Sequence, residues 1–346
     1  MKTFDWVVIG AGPAGILSVG KLLDAGVDAK QIAWVDPEFK VGDLGKRWRQ
    51  VSSNTKVKLF VDFLTGCRAF NYQNASTNFD INHLDPKQTC DLYYIADPLQ
   101  WVSDHLCETV TTYQSMANHI KLSDRVWNIE LEKGMLTARN VVLAIGSNPK
   151  VLPFVGPEVV SLQDVLDPDR VGNVCSADDT VAVFGSSHSA VLILKNLIDS
   201  GVKRVINFYL EPLRYAVEMD GWILFDNTGL KGKAADWART YIDGELPKNL
   251  ERHISSNEHL TQLLPDCNKV VYAVGFERRH LPVIAGMETV QYNDKSGIIA
   301  PGLFGFGLAF PECRTNPLGI DEYSVGLWKF MDYIDRVLPI WMKYGT

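Results

Sequence analysis

The chain has 346 residues, of which 46% are hydrophobic and 22% are charged, and this composition excludes a disordered or low-complexity protein. The formal net charge of −7 gives no general attraction to nucleic acid or to an anionic membrane surface. At this length we expect two domains, each large enough for its own core. The apolar stretches are too short to span a membrane, and the first residues lack the pattern of a signal peptide.

Cysteine and histidine spacing argues against metal and dithiol sites. The six cysteines are scattered, and no two of them form a C-x-x-C pair. The histidines likewise show no ligand spacing, so no metal is predicted. Few and scattered cysteines in a chain of this length are typical of free thiols, and the predicted location is the cytoplasm.

The chain opens with a βαβ pattern. An apolar strand is predicted at Phe4–Ile9, followed by a glycine-rich turn at 10–15 and a helical pattern that ends near Ala25. A second apolar strand, Ile32–Val35, ends at Asp36. This order of elements is typical of a unit that binds a dinucleotide.

A linker is predicted near the middle of the first half. A helical pattern covers Pro98–Ser115, and short strands then lead to a buried strand at Asn140–Ile145. Prolines and glycines crowd residues 147–157, a composition typical of a linker. We therefore place a domain boundary there.

A second βαβ pattern follows the linker. It has a strand at Thr180–Phe184, a turn at 185–190 with a helix after it, and a strand at Val205–Leu210. A later strand is predicted at Lys269–Ala273, and a helix at 320–338. Residues in between, from 212 to 265, have no interpretable period.

The first glycine motif predicts a dinucleotide site. Gly10 permits the tight turn, Gly12 lets the backbone approach a pyrophosphate, and Gly15 lets helix and strand pack closely. The helix N-terminus adds free N–H groups for the phosphates. Asp36 ends the second strand, where an acid can hold a ribose hydroxyl. The residues predicted to bind the cofactor here are Gly10, Gly12, Pro13, Ala14, Gly15, Asp36 and Pro37.

Several segments resemble those of flavoproteins with two dinucleotide-binding domains. Residues 141–146 and 270–276 are similar to the strand-and-glycine segments of that group, and 301–307 to the segment near the flavin. The resemblance implies FAD in the first unit, with contacts from Ala144, Gly146 and Gly307 and from the backbone of Val126 at the adenine. Leu308 stands where the thioredoxin-reductase branch has an acid, so the chain departs from that branch.

The segments Gly45–Trp48 and Val51–Lys56 resemble motifs of flavin-containing monooxygenases. This resemblance implies that Asn54 lies beside the flavin and takes part in catalysis. The alternative is that Asn54 is a turn residue bonded to its own backbone. The resemblance also assigns three residues of the first motif to the cofactor, namely Lys46, Arg47 and Trp48.

The second glycine motif is degraded, since Ser187 stands where the second glycine is expected. The serine hydroxyls and the helix N-terminus could still hold phosphate, or the domain has kept its fold and lost tight nicotinamide binding. The predicted contacts are Gly185, Ser186, Ser187, His188 and Ser189.

The choice between NADPH and NADH stays open at the sequence level. Glu211 follows the second strand of this unit and could hold a free 2′-hydroxyl. Arg214, or Arg278 with Arg279, could instead take a 2′-phosphate. Only the family resemblance favours NADPH.

These observations predict an α/β fold with two Rossmann-like dinucleotide-binding domains. Residues 1–155 and 266–346 would form the FAD domain, split by a smaller NAD(P) domain at 156–265. The expected function is an NAD(P)H-linked flavin monooxygenase acting on a small molecule, without nucleic-acid or membrane partners and with a homodimer as an open expectation. The alternatives are a reductase with a quinone or protein acceptor, and a flavin-binding module without turnover.

Overall fold

A computed structural model of the chain describes residues 2–345. Its strands are β1 Thr3–Ile9, β2 Ile32–Val35, β3 Ser52–Lys56, β4 Thr89–Asp91, β5 Thr111–Tyr113, β6 Ala117–Ser123, β7 Val126–Leu131, β8 Met135–Leu143, β9 Ser147–Pro149, β10 Glu158–Val159, β11 Thr180–Phe184, β12 Arg204–Tyr209, β13 Val217–Glu218, β14 Ile223–Leu224, β15 Leu250–Ile254, β16 Lys269–Tyr272, β17 Phe276–Arg278, β18 Val283–Ile284, β19 Ile298–Ala300, β20 Leu303–Gly305, β21 Glu312–Thr315 and β22 Asp321–Ser324. The α-helices are α1 Pro13–Asp24, α2 Gly42–Lys46, α3 Val57–Thr65, α4 Tyr93–Thr109, α5 Leu162–Leu166, α6 Val171–Val174, α7 His188–Asp199, α8 Gly232–Trp237, α9 Asn257–Leu263 and α10 Leu327–Trp341. A π-helical turn at Ala238–Ile242 extends α8, and 3-10 turns lie at Ala29–Gln31, Arg68–Phe70, Tyr72–Asn74, Asp80–His83, Leu264–Asp266 and Gly307–Ala309.

The larger sheet is built around β1, which pairs in parallel with β2 on one side and with β8 on the other. Its strands follow the order β18-β6-β7-β8-β1-β2-β5, and β20 adds to the carboxyl half of β8. Strands buried on both faces read as continuous apolar runs, which explains why β1 and β2 could be predicted from the sequence. Helices α1, α3 and α10 pack together against this sheet and form one core with it.

The smaller sheet has the order β10-β16-β11-β12-β15, and all its pairs are parallel. Helices α7 and α8 cover one face, and α9 covers the other. Strand β16 completes this sheet although it lies beyond residue 265, so we propose that the inserted domain runs to Tyr272. Two short antiparallel strands, β9 and β17, carry the chain out of and back into the larger unit.

Three element predictions were wrong in their bounds. The helix predicted at Pro98–Ser115 is α4, which starts earlier and ends at Thr109, because β-branched Thr111 and Thr112 continue as strand β5 beside β2. A short strand predicted at Leu136–Ala138 and the strand predicted at Asn140–Ile145 form one strand, β8. The start of the helix predicted at 320–338 is the hairpin strand β22, and α10 begins at Leu327.

Among residues 2–345, no helix is long and apolar enough to cross a membrane. The C-terminal helix α10 buries one face, including the fully buried indole of Trp341, which lies 4.9 Å from the ring of Phe304 on β20. This helix therefore stabilises the unit that carries the first glycine motif.

Candidate functional site: two glycine loops and the strand between them

The first glycine loop connects β1 to α1 at the carboxyl end of the larger sheet. Gly10 has a φ of +109°, and a Cβ atom there would lie 2.3 Å from the carbonyl oxygen of Ala144. A Cβ on Gly15 would lie 1.8 Å from the carbonyl oxygen of Gly10. Gly12 differs, since its φ of −76° suits any residue and the nearest atom to an added Cβ is 4.0 Å away. Gly10 and Gly15 are therefore required by the fold, whereas a Cβ on Gly12 would only touch the Cα of Gly42.

The N-terminus of α1 is free to bind an anion. No side chain caps it, and its first turn holds no acidic residue. The first N–H groups of a helix have no intrahelical partner and carry a partial positive charge. Pro13 is the first residue of the helix, and Ala14 is buried behind it. The loop thus has the geometry that holds a pyrophosphate.

Asp36 fixes this loop through its carboxylate. One oxygen accepts a hydrogen bond from the N–H of Ala11 at 2.7 Å, and the other accepts from the N–H groups of Glu38 and Phe39 at 2.8 and 2.7 Å. A second brace comes from the indole of Trp34, which donates to the carbonyl of Gly10 at 2.9 Å. Asp36 is half-buried at the edge of the loop, where a free lone pair can still accept a ribose hydroxyl.

Three other predicted cofactor contacts lie on the side of the first loop. Gly307 lies against the loop, since a Cβ there would be 2.5 Å from that of Ala14. Gly146 has a φ of +74° and accepts a hydrogen bond from the N–H of Arg279 at 3.2 Å. Pro37 is exposed beside Asp36.

The Gly45–Trp48 motif lies near the first loop through α2. Lys46 and Arg47 are exposed and pair with acids, Lys46 with Glu38 and Arg47 with Asp43 at 3.4 Å. Trp48 lies edge-on to Phe276, with ring centroids 6.2 Å apart, and therefore packs against the strand that returns from the inserted unit.

The second glycine loop repeats the backbone contacts of the first. In the first unit, Gly10 N–H donates to Val35 at 2.8 Å and Ala144 N–H donates to Ile9 at 2.8 Å. In the second unit, Gly185 N–H donates to Phe208 at 2.9 Å. The matching bond there runs from Ala273 N–H to the carbonyl of Phe184 at 2.8 Å.

Ser187 adopts the backbone conformation of Gly12. Its φ and ψ are −85° and −175°, against −76° and 179° at Gly12, and both residues are the N-cap of the helix that follows. Ser187 is exposed, so its Cβ does not fill the loop, and no side chain caps α7. Ser186 and Ser189 flank it as half-buried hydroxyls. The substitution of the second glycine therefore leaves the anion-binding geometry intact.

His188 links the second loop to β3. Its Nε2 donates to the carbonyl oxygen of Ser52 at 2.9 Å, which leaves Nδ1 as an acceptor that is buried without a partner. Burial lowers the pKa of His188, the bond to Ser52 opposes this shift, and the charge of Lys231 adds to the lowering. His188 is consequently neutral at pH 7.

Asn54 lies on β3, two residues from the His188 contact. It is half-buried, and its Oδ1 accepts a hydrogen bond from the hydroxyl of Thr55 at 3.3 Å. It belongs to a strand that pairs with β4, and no hydrogen bond to its own backbone is present within the described chain. The structure thus brings Asn54 to the junction of the two units.

The charged residues considered for the adenosine ribose of the second nucleotide already have partners. Glu211 and Arg214 form an ion pair with each other. Arg278 donates to the carbonyls of Ala309 and Val290 at 2.8 and 3.0 Å. In the same way, the guanidinium of Arg279 reaches the carboxylate of Asp43 at 2.6 Å.

Val126 does not lie beside the first loop, and its contact with the adenine stays a prediction. It starts β7, where the neighbouring Trp127 pairs with Ala138, and Ala138 pairs with Phe4 near the start of β1. The loop lies at the opposite end of β1. Ser115, whose N–H donates to the carbonyl of Asp36 at 3.2 Å, is the residue whose backbone lies beside the predicted ribose site.

Sequence reasoning also missed Val41 and Gly42, of which Gly42 lies against Gly12. Both have positive φ, and a Cβ on Gly42 would be 3.0 Å from the Cα of Gly12. The dipeptide Val41-Gly42 carries no motif, and only the glycine hinted at a turn.

Orphaned polar atoms at the junction fit a polar ligand between the two loops. The hydroxyls of Ser52 and Ser147 are buried without a hydrogen-bond partner, as is Nδ1 of His188. Buried polar groups normally have partners, so these atoms favour a bound molecule or water there. Together with the uncapped start of α1, they fit a site for two dinucleotides. No group of three potential metal ligands exists within residues 2–345.

The chain is similar to known monooxygenases in sequence and in fold. Residues 93–220 match the family model described as L-lysine 6-monooxygenase/L-ornithine 5-monooxygenase. The monooxygenase AgnR1 of Paecilomyces divaricatus is 36% identical over 382 aligned residues, which cover 97% of each chain. Two solved structures each match over 99% of both chains with a TM-score of 0.66. They are a flavin-containing monooxygenase from Stenotrophomonas maltophilia, at 14% identity, and L-lysine 6-monooxygenase from Pseudomonas syringae, at 15%.

The structural matches confirm the predicted fold class. At these low sequence identities they are evidence for the fold alone. The match to the Paecilomyces divaricatus protein extends over nearly the whole of both chains and confirms the resemblance to monooxygenases. The chain therefore belongs to the same monooxygenase family as that protein and is an FAD-dependent, NAD(P)H-linked oxidoreductase.

Proposed function

We propose that the two glycine loops divide the cofactors between them, with FAD on loop 10–15 and NADPH or NADH on loop 185–190. The observation that carries this assignment is the repeat of the same backbone contacts in both units, together with the His188–Ser52 bond that joins them. Asn54 lies where the two sites meet. In this arrangement the enzyme transfers one oxygen atom of dioxygen to a small molecule.

On the FAD side, each residue has a role that follows from its contacts. The free N–H groups at the start of α1 would hold the pyrophosphate over Gly12, and Asp36 would accept a ribose hydroxyl. Gly307 and Gly146 would let the backbone pass close to the flavin. The chemistry that FAD supplies when bound is the activation of dioxygen with electrons from NAD(P)H.

Asn54 would orient the reacting groups through its amide, which can both donate and accept. The segment 213–232 closes this region. Lys56, two residues after Asn54, pairs with Glu218, and a Cβ on Gly232 would lie 2.3 Å from the hydroxyl of Thr89 on β4. We propose that this segment forms the wall of the substrate pocket and helps to exclude water.

The substrate is proposed to be a small molecule with a soft heteroatom or a ketone. The match of residues 93–220 to the lysine and ornithine monooxygenase model supports an amine nitrogen as the first class to test. The six cysteines are unpaired, which supports the cytoplasm as the location. A homodimer remains a prediction, which light scattering on the purified protein can test.

The test is an anaerobic reduction followed by oxygen. The purified protein should carry FAD, and NADPH or NADH should bleach its absorbance under nitrogen. On re-admission of air, we expect a transient flavin spectrum unlike those of the oxidised and reduced forms. Immediate reoxidation together with rapid turnover of a quinone would favour a reductase instead. Absence of bleaching with either nucleotide would refute the role given to loop 185–190.

A further inference from the structure

The repeat between the two units identifies the counterpart of Asp36. In the first unit, the carbonyl of Val35 accepts from the first glycine of the loop, and Asp36 is the next residue. In the second unit, the carbonyl of Phe208 accepts from Gly185, and the next residue is Tyr209. The strand registers agree, since Ile9 pairs with Val35 as Phe184 pairs with Phe208.

This equivalence changes the expected chemistry at the adenosine ribose of the second nucleotide. An acid at this position holds a 2′-hydroxyl and repels a 2′-phosphate. Tyr209 has no carboxylate for either role. Glu211, which the sequence placed in this role, lies two residues later and is neutralised by Arg214.

The ring of Tyr209 is covered by a cation, whereas the first unit has an acid at this position. Arg252 on β15 lies with its guanidinium carbon 4.6 Å from the centre of the Tyr209 ring, and its Nε donates to Oδ1 of Asn207 at 3.0 Å. The amide of Asn207, which is fully buried, donates in turn to the carbonyl of Gly185 at 2.8 Å. Two hydrogen bonds thus connect the second glycine loop to Arg252.

The guanidinium of Arg252 is not satisfied by the protein. One of its terminal nitrogens is buried without a hydrogen-bond partner, and within residues 2–345 no carboxylate lies in ion-pair distance of it. Asp243, the acid that most affects it, accepts from the hydroxyl of Tyr215 at 2.6 Å. Burial lowers the pKa of Arg252, as expected for a charge without a counterion. A guanidinium keeps its proton nevertheless, so Arg252 carries a positive charge that can bind an anion.

We infer that Arg252, stacked on Tyr209, binds the 2′-phosphate of NADPH and makes the enzyme prefer NADPH to NADH. The inference rests on the proposed binding of the nicotinamide nucleotide at loop 185–190. A guanidinium suits this task because its planar fork matches phosphate oxygens. The three arginines considered from the sequence are already engaged elsewhere.

The test compares two nucleotide fragments by calorimetry on the FAD-loaded enzyme. Adenosine 2′,5′-bisphosphate should bind at least 10-fold more tightly than 5′-AMP, which lacks the 2′-phosphate. Arg252→Gln should weaken the bisphosphate by about 10- to 100-fold, the effect expected for a charge-assisted hydrogen bond, and change 5′-AMP by less than about 3-fold. Arg170→Gln, at an exposed arginine of the second unit that pairs with Asp164 and Asp167, is the matched control and should leave both affinities unchanged.

Equal binding of the two fragments by the wild type, or an unchanged ratio in Arg252→Gln, would overturn the inference. An equal loss of discrimination in Arg170→Gln would overturn it too, because the loss would then not be specific to Arg252. If Arg252→Gln does not fold, Tyr209→Asp gives the same test, because the restored acid should repel only the bisphosphate. Equal rates of flavin reduction by NADH and NADPH would refute the role of Arg252 but not the proposed binding of the nucleotide at loop 185–190. Failure of both nucleotides to bind or reduce the enzyme would refute the proposed function of the loop as well.

Discussion

The imidazole of His188 and the carbonyl of Ser52 are joined by a hydrogen bond of 2.9 Å, which ties the first turn of α7 to strand β3. Because His188 belongs to the second glycine loop and Ser52 to the strand of Asn54, this bond links the two proposed cofactor sites. Its donor is Nε2–H of a neutral ring whose other nitrogen is buried.

This contact predicts a pH dependence of stability. The pKa of His188 is lowered in the folded protein, chiefly by burial, so the unfolded chain takes up a proton first as the pH falls through about 6.5. The free energy of unfolding should therefore fall below that pH, by at most about 1.4 kcal/mol per pH unit from this group. Urea unfolding between pH 5 and 8 measures it.

His188→Gln is the informative variant, because its amide can still donate to Ser52 but cannot ionise. It should flatten the acid side of the profile at a small cost at pH 8. His83→Gln changes an exposed histidine and serves as the control, with an unchanged profile. An acid profile of His188→Gln that matches the wild type would show that another group titrates.

Gly12→Val should remove FAD binding without unfolding the protein. The φ of Gly12 suits valine, and an added Cβ meets no atom closer than 4.0 Å, so the cost to the apoprotein should be small, about 1 kcal/mol. The side chain would instead fill the space assigned to the pyrophosphate. Flavin content after purification and the affinity for added FAD are the readouts.

Gly172→Val is the matched control for this variant. Gly172 lies in α6, and an added Cβ there also meets no atom within 4 Å. It should keep normal FAD. In contrast, Gly10→Ala should unfold the loop, since its Cβ would clash with the carbonyl of Ala144 at 2.3 Å. Normal FAD content in Gly12→Val would place the pyrophosphate elsewhere.

Asp36→Asn should lower both the stability of the apoprotein and its affinity for FAD. The carboxylate accepts three backbone N–H bonds, and the amide can replace only the acceptor on one side. Hydrogen bonds to a charged acceptor contribute about 1.5–3 kcal/mol each, so we expect a loss of roughly 2–4 kcal/mol in the free energy of unfolding. Denaturant unfolding of the FAD-free protein measures this part.

Asp36→Glu keeps the charge and separates the two roles. Its longer side chain cannot reach all three N–H groups in the same geometry, so stability should fall, while the carboxylate could still accept a ribose hydroxyl. Asp28→Asn is the control, because Asp28 caps only the 3-10 turn at Ala29–Gln31. Apoprotein stability in Asp36→Asn equal to the wild type would exclude the loop-fixing role.

The regularly patterned parts of the fold could be predicted from the sequence, and the parts fixed by tertiary contact could not. Strands β1, β2 and β11 are buried on both faces and appear as apolar runs, so their bounds were close to those observed. Strand β15 was missed because Glu251 and Arg252 interrupt its apolar pattern. Those two residues are placed by pairing with β12, and pairing leaves no local signal.

The same distinction applies to the candidate site. The glycine loops follow from backbone requirements, which leave glycines in the sequence. Whether an arginine has a carboxylate partner depends on acids that are distant in the chain, as Asp43 is from Arg279. No spacing rule could have distinguished Arg252 from the arginines of the 278–279 pair.

Arg278 is expected to act as a brace of the FAD site and to have no role in nucleotide choice. Its guanidinium carbon lies 4.3 Å from the centre of the Phe310 ring, and its Nε donates to the carbonyl of Ala309, just after Gly307 at the first loop. Arg278→Lys keeps the charge but loses the planar fork and the second carbonyl bond. We expect a loss of about 1–3 kcal/mol in stability and weaker FAD binding.

The ratio of NADPH to NADH affinity should remain that of the wild type in Arg278→Lys, because this side chain is committed to Ala309 and Val290. Calorimetry with adenosine 2′,5′-bisphosphate and 5′-AMP measures that ratio, and thermal unfolding measures the stability. Arg125→Lys, at the β6–β7 turn, is the control and should change neither quantity. If Arg278→Lys instead no longer distinguishes the two fragments and keeps its stability, Arg278 leaves its carbonyl partners to bind the phosphate. Its role as a support of the FAD site would then be refuted.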